Sequence, residues 1–223
     1  LLGELAEEFG PGEVAPVAFH VDYFDDPWKD PYSDPRHSRR ELEYSRIYAR
    51  ERGLQNEGHL YLTPLLMIDG RVPMVGSNAD APERARRAIR EALRRRSEVT
   101  LDAAPSADGQ AVAVEVAARG GGLAGKPVLV ELIATEDGLE TDVRAGELEG
   151  RRYLARHVAR GYAVESVRLP RRTGEPARVE LKVPGATAGG DSSRRALLVV
   201  VQDERTGRVY QARRLEWPSA AGR

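Results

Sequence analysis

The sequence predicts an α/β unit over residues 1–97 followed by an all-β, sandwich-like unit over residues 98–223. Three observations predict it. First, the apolar runs Leu65 to Ile68 and Val72 to Val75 flank Asp69-Gly70, a strong hairpin signal because that turn needs positive φ, which Gly supplies without strain. Second, Ala85, Ala88, Ile89, Ala92 and Leu93 recur at helical spacing within Ala81 to Arg96, against an Arg-rich outer face. Third, beyond Arg96 the apolar period changes to two, which places the boundary near Arg96 to Val99.

Taken in order, Leu1, Leu2, Leu5, Ala6 and Phe9 share one helical face, and Gly10-Pro11-Gly12 stops that helix. Val14 to Val21 is a mostly apolar run with β-branched residues, the pattern of a buried parallel strand. Asp22 to Pro35 is a loop rich in Asp, Pro and aromatic residues. Arg36 to Arg52 reads as a helix with Leu42, Ile47 and Tyr48 inward and Gly53 at its end. The hairpin follows, begun by Thr63-Pro64, a position where a missing N–H is tolerated. In the second half, strands are expected at Val112–Val116, Val128–Leu132, Val164–Leu169, Val179–Val183, Leu197–Val201 and Val209–Leu215. Turn signals separate them at Asp108-Gly109, Gly120-Gly121-Gly122, Glu136-Asp137-Gly138, Arg172-Thr173-Gly174, Gly189-Gly190-Asp191 and Arg205-Thr206-Gly207. Short strands with regular turns suggest a β-sandwich.

Composition excludes several functions. The 34 Lys and Arg nearly cancel the 35 Asp and Glu, so no global charge steers the chain to nucleic acid or an anionic membrane. No apolar stretch approaches the roughly 20 residues of a membrane helix. There is no cysteine, hence no disulfide and no thiol nucleophile. His37, His59 and His157 lack ligand spacing, so no zinc site is read, and no cofactor is called for. Gly120-Gly121-Gly122 lies between strand patterns without a following helix or Lys-Ser, so it is no phosphate loop of the nucleotide-binding kind.

The first half reads helix, strand, loop, helix, strand, strand, helix. A thioredoxin-like core has the same order preceded by one more strand, which lies inside its sheet. Removing an interior strand leaves unpaired backbone groups at about 1–3 kcal/mol each. The expectation is therefore an N-terminally incomplete copy, or a slot that another strand fills.

Specific motifs sharpen this. Ala18-Phe19-His20-Val21-Asp22-Tyr23-Phe24-Asp25, then Trp28-Lys29-Asp30-Pro31-Tyr32, then Tyr48-Ala49-Arg50, then residues 63–71 with Val75-Gly76-Ser77, resemble the secreted, thioredoxin-like family called domain of unknown function 1223. Gly146-Glu147-Leu148-Glu149-Gly150-Arg151, Val200-Val201-Gln202-Asp203 and Thr206-Gly207-Arg208-Val209 resemble its carboxy-terminal β domain. Phe24 stands where the family often has Trp. Members usually carry Cys-x-x-Cys-Pro-Pro before a helix like Leu1-Leu2-Gly3-Glu4-Leu5-Ala6. The resemblance thus implies a periplasmic or secreted protein whose parent performs thiol–disulfide exchange on a disulfide-containing protein or redox partner, while the chain given lacks the thiols. It also implies a site lined by His20, Asp22, Tyr23, Trp28, Thr63 and Pro64, with Thr63-Pro64 as a cis bond.

His20 and Asp22 stand two apart at an expected strand end, so they would share a face as an orienting pair. The alternative for His20 is a structural histidine bonded to the loop. Asp22, Asp25, Asp26 and Asp30 lack the ligand spacing of a calcium loop, and capping and loop solvation account for them. Tyr23, Trp28 and Tyr32 either cover a cleft or close a core under the loop. The rival to the redox reading is a non-enzymatic module that binds a protein or peptide, through the 22–35 loop or an exposed sheet edge.

Overall fold

The computed structural model describes residues 1–146, 149–185 and 191–218. The expected turn at Gly189-Gly190 and the Glu147-Leu148 part of the resemblance lie outside the described residues. The protein is mixed α/β, and its sheets are antiparallel.

Helix α1 (Leu2–Phe9) buries Leu5. Helix α2 (Pro35–Arg52) is capped by the Asp34 carboxylate, which accepts the Arg36 N–H, and ends at Gly53 in the left-handed region (φ 64°). Strands β1 (Leu65–Ile68) and β2 (Val72–Val75) form the expected hairpin. Asp69 (φ 50°) and Gly70 (φ 63°) both take positive φ, as a two-residue turn between twisted strands requires. Helix α3 (Ala81–Leu93) stops short of the expected Arg96 and buries Ala81, Ala85, Ala88 and Ile89, while Leu93, expected inward, is exposed. Leu5, Met74, Ala81, Ala85 and Ile89 make one apolar cluster with Leu1, Phe9, Val14, Leu66, Ile68 and Val72 around it.

The remaining strands are β3 (Val99–Pro105), β4 (Ala111–Ala118), β5 (Pro127–Glu136), β6 (Leu139–Asp142), β7 (Arg152–Ala155), β8 (Val158–Arg168), β9 (Ala177–Lys182), β10 (Arg195–Asp203) and β11 (Val209–Glu216). They build a four-stranded sheet in the order β11-β10-β5-β8, a three-stranded sheet in the order β3-β4-β9, and the separate hairpin β6-β7. Val112, Val114 and Val116 of one sheet share a core with Val128, Val130, Leu132, Leu197, Val199 and Val201 of the other. Strand β3 and the β6-β7 hairpin were not foreseen. Strand β3 has only Val99 and Leu101 as large apolar residues, and the two four-residue strands of the hairpin hold Glu140, Asp142 and Arg152, so neither shows a sustained apolar alternation.

The expected strand at Val14–Val21 does not form. That segment makes one isolated parallel bridge, Ala18 with Val158, and shares no sheet with β1. Its apolar character has another cause. Ala15, Val17 and Phe19 lie on the outer face of the four-stranded sheet, against Ile133, Ala159 and Leu198. The same docking explains the unbroken run Ala196 to Val201. A strand covered on both faces needs no polar alternation, whether its sheet is parallel or not. Fully burying a Val or Phe side chain contributes about 1.5–3 kcal/mol, and the partly buried Val17 and Phe19 gain a share of that by lying flat on the sheet.

Helix α2 completes that cover, but with a polar face. Its buried residues are His37, Ser38, Ser45 and Ala49, whereas the expected Leu42, Ile47 and Tyr48 are half-buried. Arg40 sends both terminal nitrogens to Glu131 of β5 (2.6 and 2.7 Å), and the Tyr44 hydroxyl donates to Gln202 of β10 (2.6 Å). The hairpin tip is tied to the same sheet, because Val209 N–H donates to the Asp69 carbonyl (2.9 Å).

Candidate functional site

The loop between the 14–21 segment and α2 is shaped by its acidic residues. Asp22 accepts a hydrogen bond from the Ser38 hydroxyl, and Ser38 Oγ in turn accepts the Asp22 N–H (3.1 Å). Asp25 accepts from Ser33 Oγ (2.6 Å) and the Asp30 N–H (3.2 Å). Asp30 accepts the Tyr32 N–H (2.8 Å). These are turn and capping bonds, the role that short acidic side chains fill when a chain must reverse over few residues.

His20 pairs with Asp30, not with Asp22: Nδ1 lies 2.6 Å from Asp30 Oδ2. The expected His20–Asp22 pair depended on an extended backbone through residue 22, and the chain instead leaves extended geometry at that point to start the loop. Rings of Tyr32 and Tyr153 flank the imidazole, with centroids 5.6 and 6.3 Å away. Burial alone would raise the Asp30 carboxyl, but the His20 bond and the Tyr32 N–H outweigh it and hold Asp30 below the ordinary carboxylate range.

Tyr23, Thr63 and Pro64 do come together. The Tyr23 hydroxyl donates to Glu41 Oε2 (2.9 Å), and its oxygen is within hydrogen-bonding reach of the Thr63 hydroxyl. Glu41 Oε1 accepts the Leu62 N–H (3.2 Å), so one carboxylate ties the loop to the residues just before β1. Burial, partly countered by the Thr63 bond and reinforced by Glu41, pushes the Tyr23 phenol up to about 12. Burial also raises the Glu41 carboxyl. The Thr63–Pro64 peptide is cis, and Pro64 O accepts the Gly76 N–H (2.7 Å). The Tyr23 ring stands 4.9 Å from Phe24 and 4.9 Å from Tyr61. All three rings reach solvent, at 36, 65 and 40 % exposure respectively.

Trp28 departs from this group. It lines a cleft of about 330 Å³ with Lys29, Pro31 and residues of the β6-β7 hairpin, a lining that includes neither Thr63 nor Pro64. The nearby Tyr32 hydroxyl donates to the Glu140 carbonyl (3.2 Å) and anchors the loop to β6. The six expected residues thus fall into four places: Tyr23, Thr63 and Pro64 on one face, His20 in an aromatic box with Asp30, Trp28 in the cleft, and Asp22 on Ser38.

Glu41 and Tyr61 were not anticipated. Tyr61 stands two residues before Thr63, so its nearness to the Thr63-Pro64 motif is legible in the sequence. Glu41 looks like any helical acid, and only the fold brings it under Tyr23. Among the described residues no group of three or more His, Asp or Glu is arranged to hold a metal ion. No described helix is long and apolar enough to cross a membrane.

Among solved structures the chain is similar to HBP35 of Porphyromonas gingivalis, with TM-score 0.54 and 12 % identity, over 85 % of this chain and 62 % of that one. At that identity the likeness shows a shared fold alone, and the chain spans less than two thirds of HBP35. Weaker likenesses include a domain of the outer membrane lipoprotein Omp28 from Porphyromonas gingivalis (TM-score 0.28, 16 % identity, 54 % of this chain and 88 % of that one). Another is beta-glucosidase 3B from Thermotoga neapolitana (TM-score 0.28, 13 % identity, 55 % of this chain and 16 % of that one). No curated protein matches the sequence. Residues 1–202 match the family described as protein of unknown function (DUF1223), and the chain belongs to that family.

Proposed function

We propose that residues 1–97 form a thioredoxin-like domain and residues 98–223 a β-sandwich domain, and that the Tyr23–Thr63–Pro64 face docks a segment of another protein. The observation that carries this reading is the exposed aromatic group. Tyr23, Phe24 and Tyr61 crowd together in solvent, with Tyr23 held by Glu41 and Thr63. Large rings gathered at one exposed place and pinned by hydrogen bonds have the make-up of interface anchors. The sequence holds no cysteine, so this reading gives the face a docking role rather than thiol exchange.

The test uses reduced, carboxymethylated α-lactalbumin as an unfolded, thiol-free probe. Its addition to the ¹⁵N-labelled chain is expected to shift amide signals of residues 22–24 and 61–64. The double variant Phe24→Ser, Tyr61→Ser is expected to weaken binding about tenfold or more. Shifts that map elsewhere, or that persist unchanged in the double variant, defeat the reading.

A second reading makes this the scaffold of a thiol–disulfide oxidoreductase, exported to the periplasm or secreted, whose cysteine pair belongs to a longer parent. One observation favours it. Among the described residues β1 is paired along one edge only, while Val14, Leu66 and Ile68 share a cluster. A further strand between the 14–21 segment and β1 completes a thioredoxin-like sheet. A parent protein carrying the pair is expected to reduce a disulfide-linked model substrate catalytically; absence of turnover with intact thiols rules this reading out.

A further inference from the structure

A second concave surface lies far from the aromatic face in chemistry. The chain leaves α3 at Leu93 and runs through three consecutive arginines into β3. There it borders a cleft of about 510 Å³, closed on the far side by the turn after β4 and by Thr173-Gly174.

Positive charge dominates this cleft. Arg96 and Arg119 both line it, and Arg96 forms no ion pair among the described residues. Arg119 is held in place: its N–H donates to Glu98 O (2.8 Å) and its Nε to Val99 O (3.0 Å). Its two terminal nitrogens make no hydrogen bond among the described residues. The one carboxylate in the lining, Glu98, is already paired with Arg208.

Neutral donors complete the set. Gly120 and Gly122 line the cleft, and among the described residues their N–H groups donate to nothing. A Cβ at either position would meet no atom within 4 Å, so the backbone there is open to an incoming ligand. Thr173 adds a hydroxyl from a further segment, while the Thr100 hydroxyl, also in the lining, donates to the Ala117 carbonyl (3.5 Å). Buried Ala118 and Leu123 form an apolar floor beneath these groups.

We propose that this cleft binds a phosphate group, free or as the monoester of a small organic molecule. Guanidinium forks and unpaired backbone N–H groups bind oxyanions, and a concave wall concentrates their field. Donors arriving from three stretches of chain, at Arg96, at Arg119 to Gly122 and at Thr173, suit a tetrahedral group with three terminal oxygens better than a flat carboxylate. The volume exceeds that of a lone ion, and the floor of Ala118 and Leu123 can receive an organic substituent. The site is not a nucleotide-binding loop: no helix follows the glycines. It is independent of the reading of the Tyr23 face.

The full ¹⁵N-labelled chain is titrated with inorganic phosphate, phenyl phosphate and acetate at constant ionic strength. Both phosphates are expected to shift the Gly120 and Gly122 amides and Arg119 Nε saturably, with acetate leaving them nearly still. Tighter binding of phenyl phosphate identifies an organic monoester as the ligand; equal binding identifies free phosphate. Arg96→Gln, at an exposed side chain outside the core, is expected to weaken phosphate binding about tenfold, the effect of one charge-assisted contact. Thr173→Val, which changes no charge, is expected to weaken it about threefold. Shifts that never saturate, an equal response to acetate, or unchanged affinity in Arg96→Gln overturns the proposal.

Discussion

Arg40 and Glu131 stand 91 residues apart and meet as a two-pronged ion pair, at 2.6 and 2.7 Å, between α2 and the outer face of the four-stranded sheet. Glu131 is 2 % exposed, and Gln202 Nε2 gives its Oε1 a third bond (3.1 Å). Arg40 also lies over the rings of Phe19, Tyr44 and Tyr162. Burial alone would depress the Arg40 guanidinium, but the Glu131 carboxylate and Tyr44 more than reverse that and raise it. Arg40→Met is expected to destabilise the fold by about 3–5 kcal/mol, because it strands a buried carboxylate. The double variant Arg40→Met, Glu131→Met is expected to recover most of that loss. Urea unfolding of the three proteins checks both, and equal stability of the single and double variants contradicts the pairing.

Gly70 is set by contact as well as by conformation. A Cβ there would lie 1.9 Å from the Gly207 carbonyl oxygen, on a residue already at φ 63°. Gly70→Ala is therefore expected to cost about 2 kcal/mol or more. The hydrogen bond from Val209 to Asp69 is expected to open with it, seen as faster exchange of the Val209 amide. A variant with wild-type stability and exchange would show that the hairpin tip does not bear on the sheet.

His37 is a titrating group with a definite sign. It is 2 % exposed, its Nδ1 donates to the His20 carbonyl (2.8 Å), and its Nε2 has no partner. The rings of Phe19 and Tyr162 face it. Asp34 and Arg36 act on it from its own helix, and His20 from the loop. Burial holds its pKa below the ordinary imidazole value. The unfolded chain thus binds a proton first as pH falls. This contribution is complete above roughly pH 6.5 and is lost as pH drops toward the lowered folded value. His37→Asn keeps a donor near Nδ1 and removes the titration. Its stability is expected to fall less steeply than wild type between roughly pH 7 and 5; parallel slopes refute the assignment.

Tyr23 carries the opposite sign. Its phenol, pushed up to about 12, stays protonated and bonded to Glu41 across the neutral range. Its contribution is present below the unfolded value of roughly 10 and is lost as pH rises through the folded one. Absorbance titration near 295 nm is expected to show several late-ionising tyrosines, Tyr210 and Tyr44 among them, and one fewer in Tyr23→Phe. The same variant is expected to loosen the Thr63 side of the aromatic face, lowering stability by about 1 kcal/mol. A wild-type titration curve in Tyr23→Phe would show that Tyr23 is not among the late-ionising tyrosines.

Much of this architecture is written locally. Asp69-Gly70 between apolar runs determines the hairpin, because few residues tolerate two successive positive φ angles. Gly53 ends α2 for a related reason, and the period-two valines of β4 and β5 announce strands whichever sheet they join. Short-range patterns encode backbone angles and which side chains avoid water. They do not encode which surface provides the cover. The run Val14 to Val21 is apolar whether it pairs inside a sheet or lies across one, and only the assembled fold decides for the latter. In the same way Arg40 reads as an exposed helical cation until Glu131 arrives from β5, and Trp28 as a neighbour of Tyr23 until the β6-β7 hairpin draws it away. Partner choice over such separations rests on the summed burial of many groups, and that sum exists only once the chain has closed on itself.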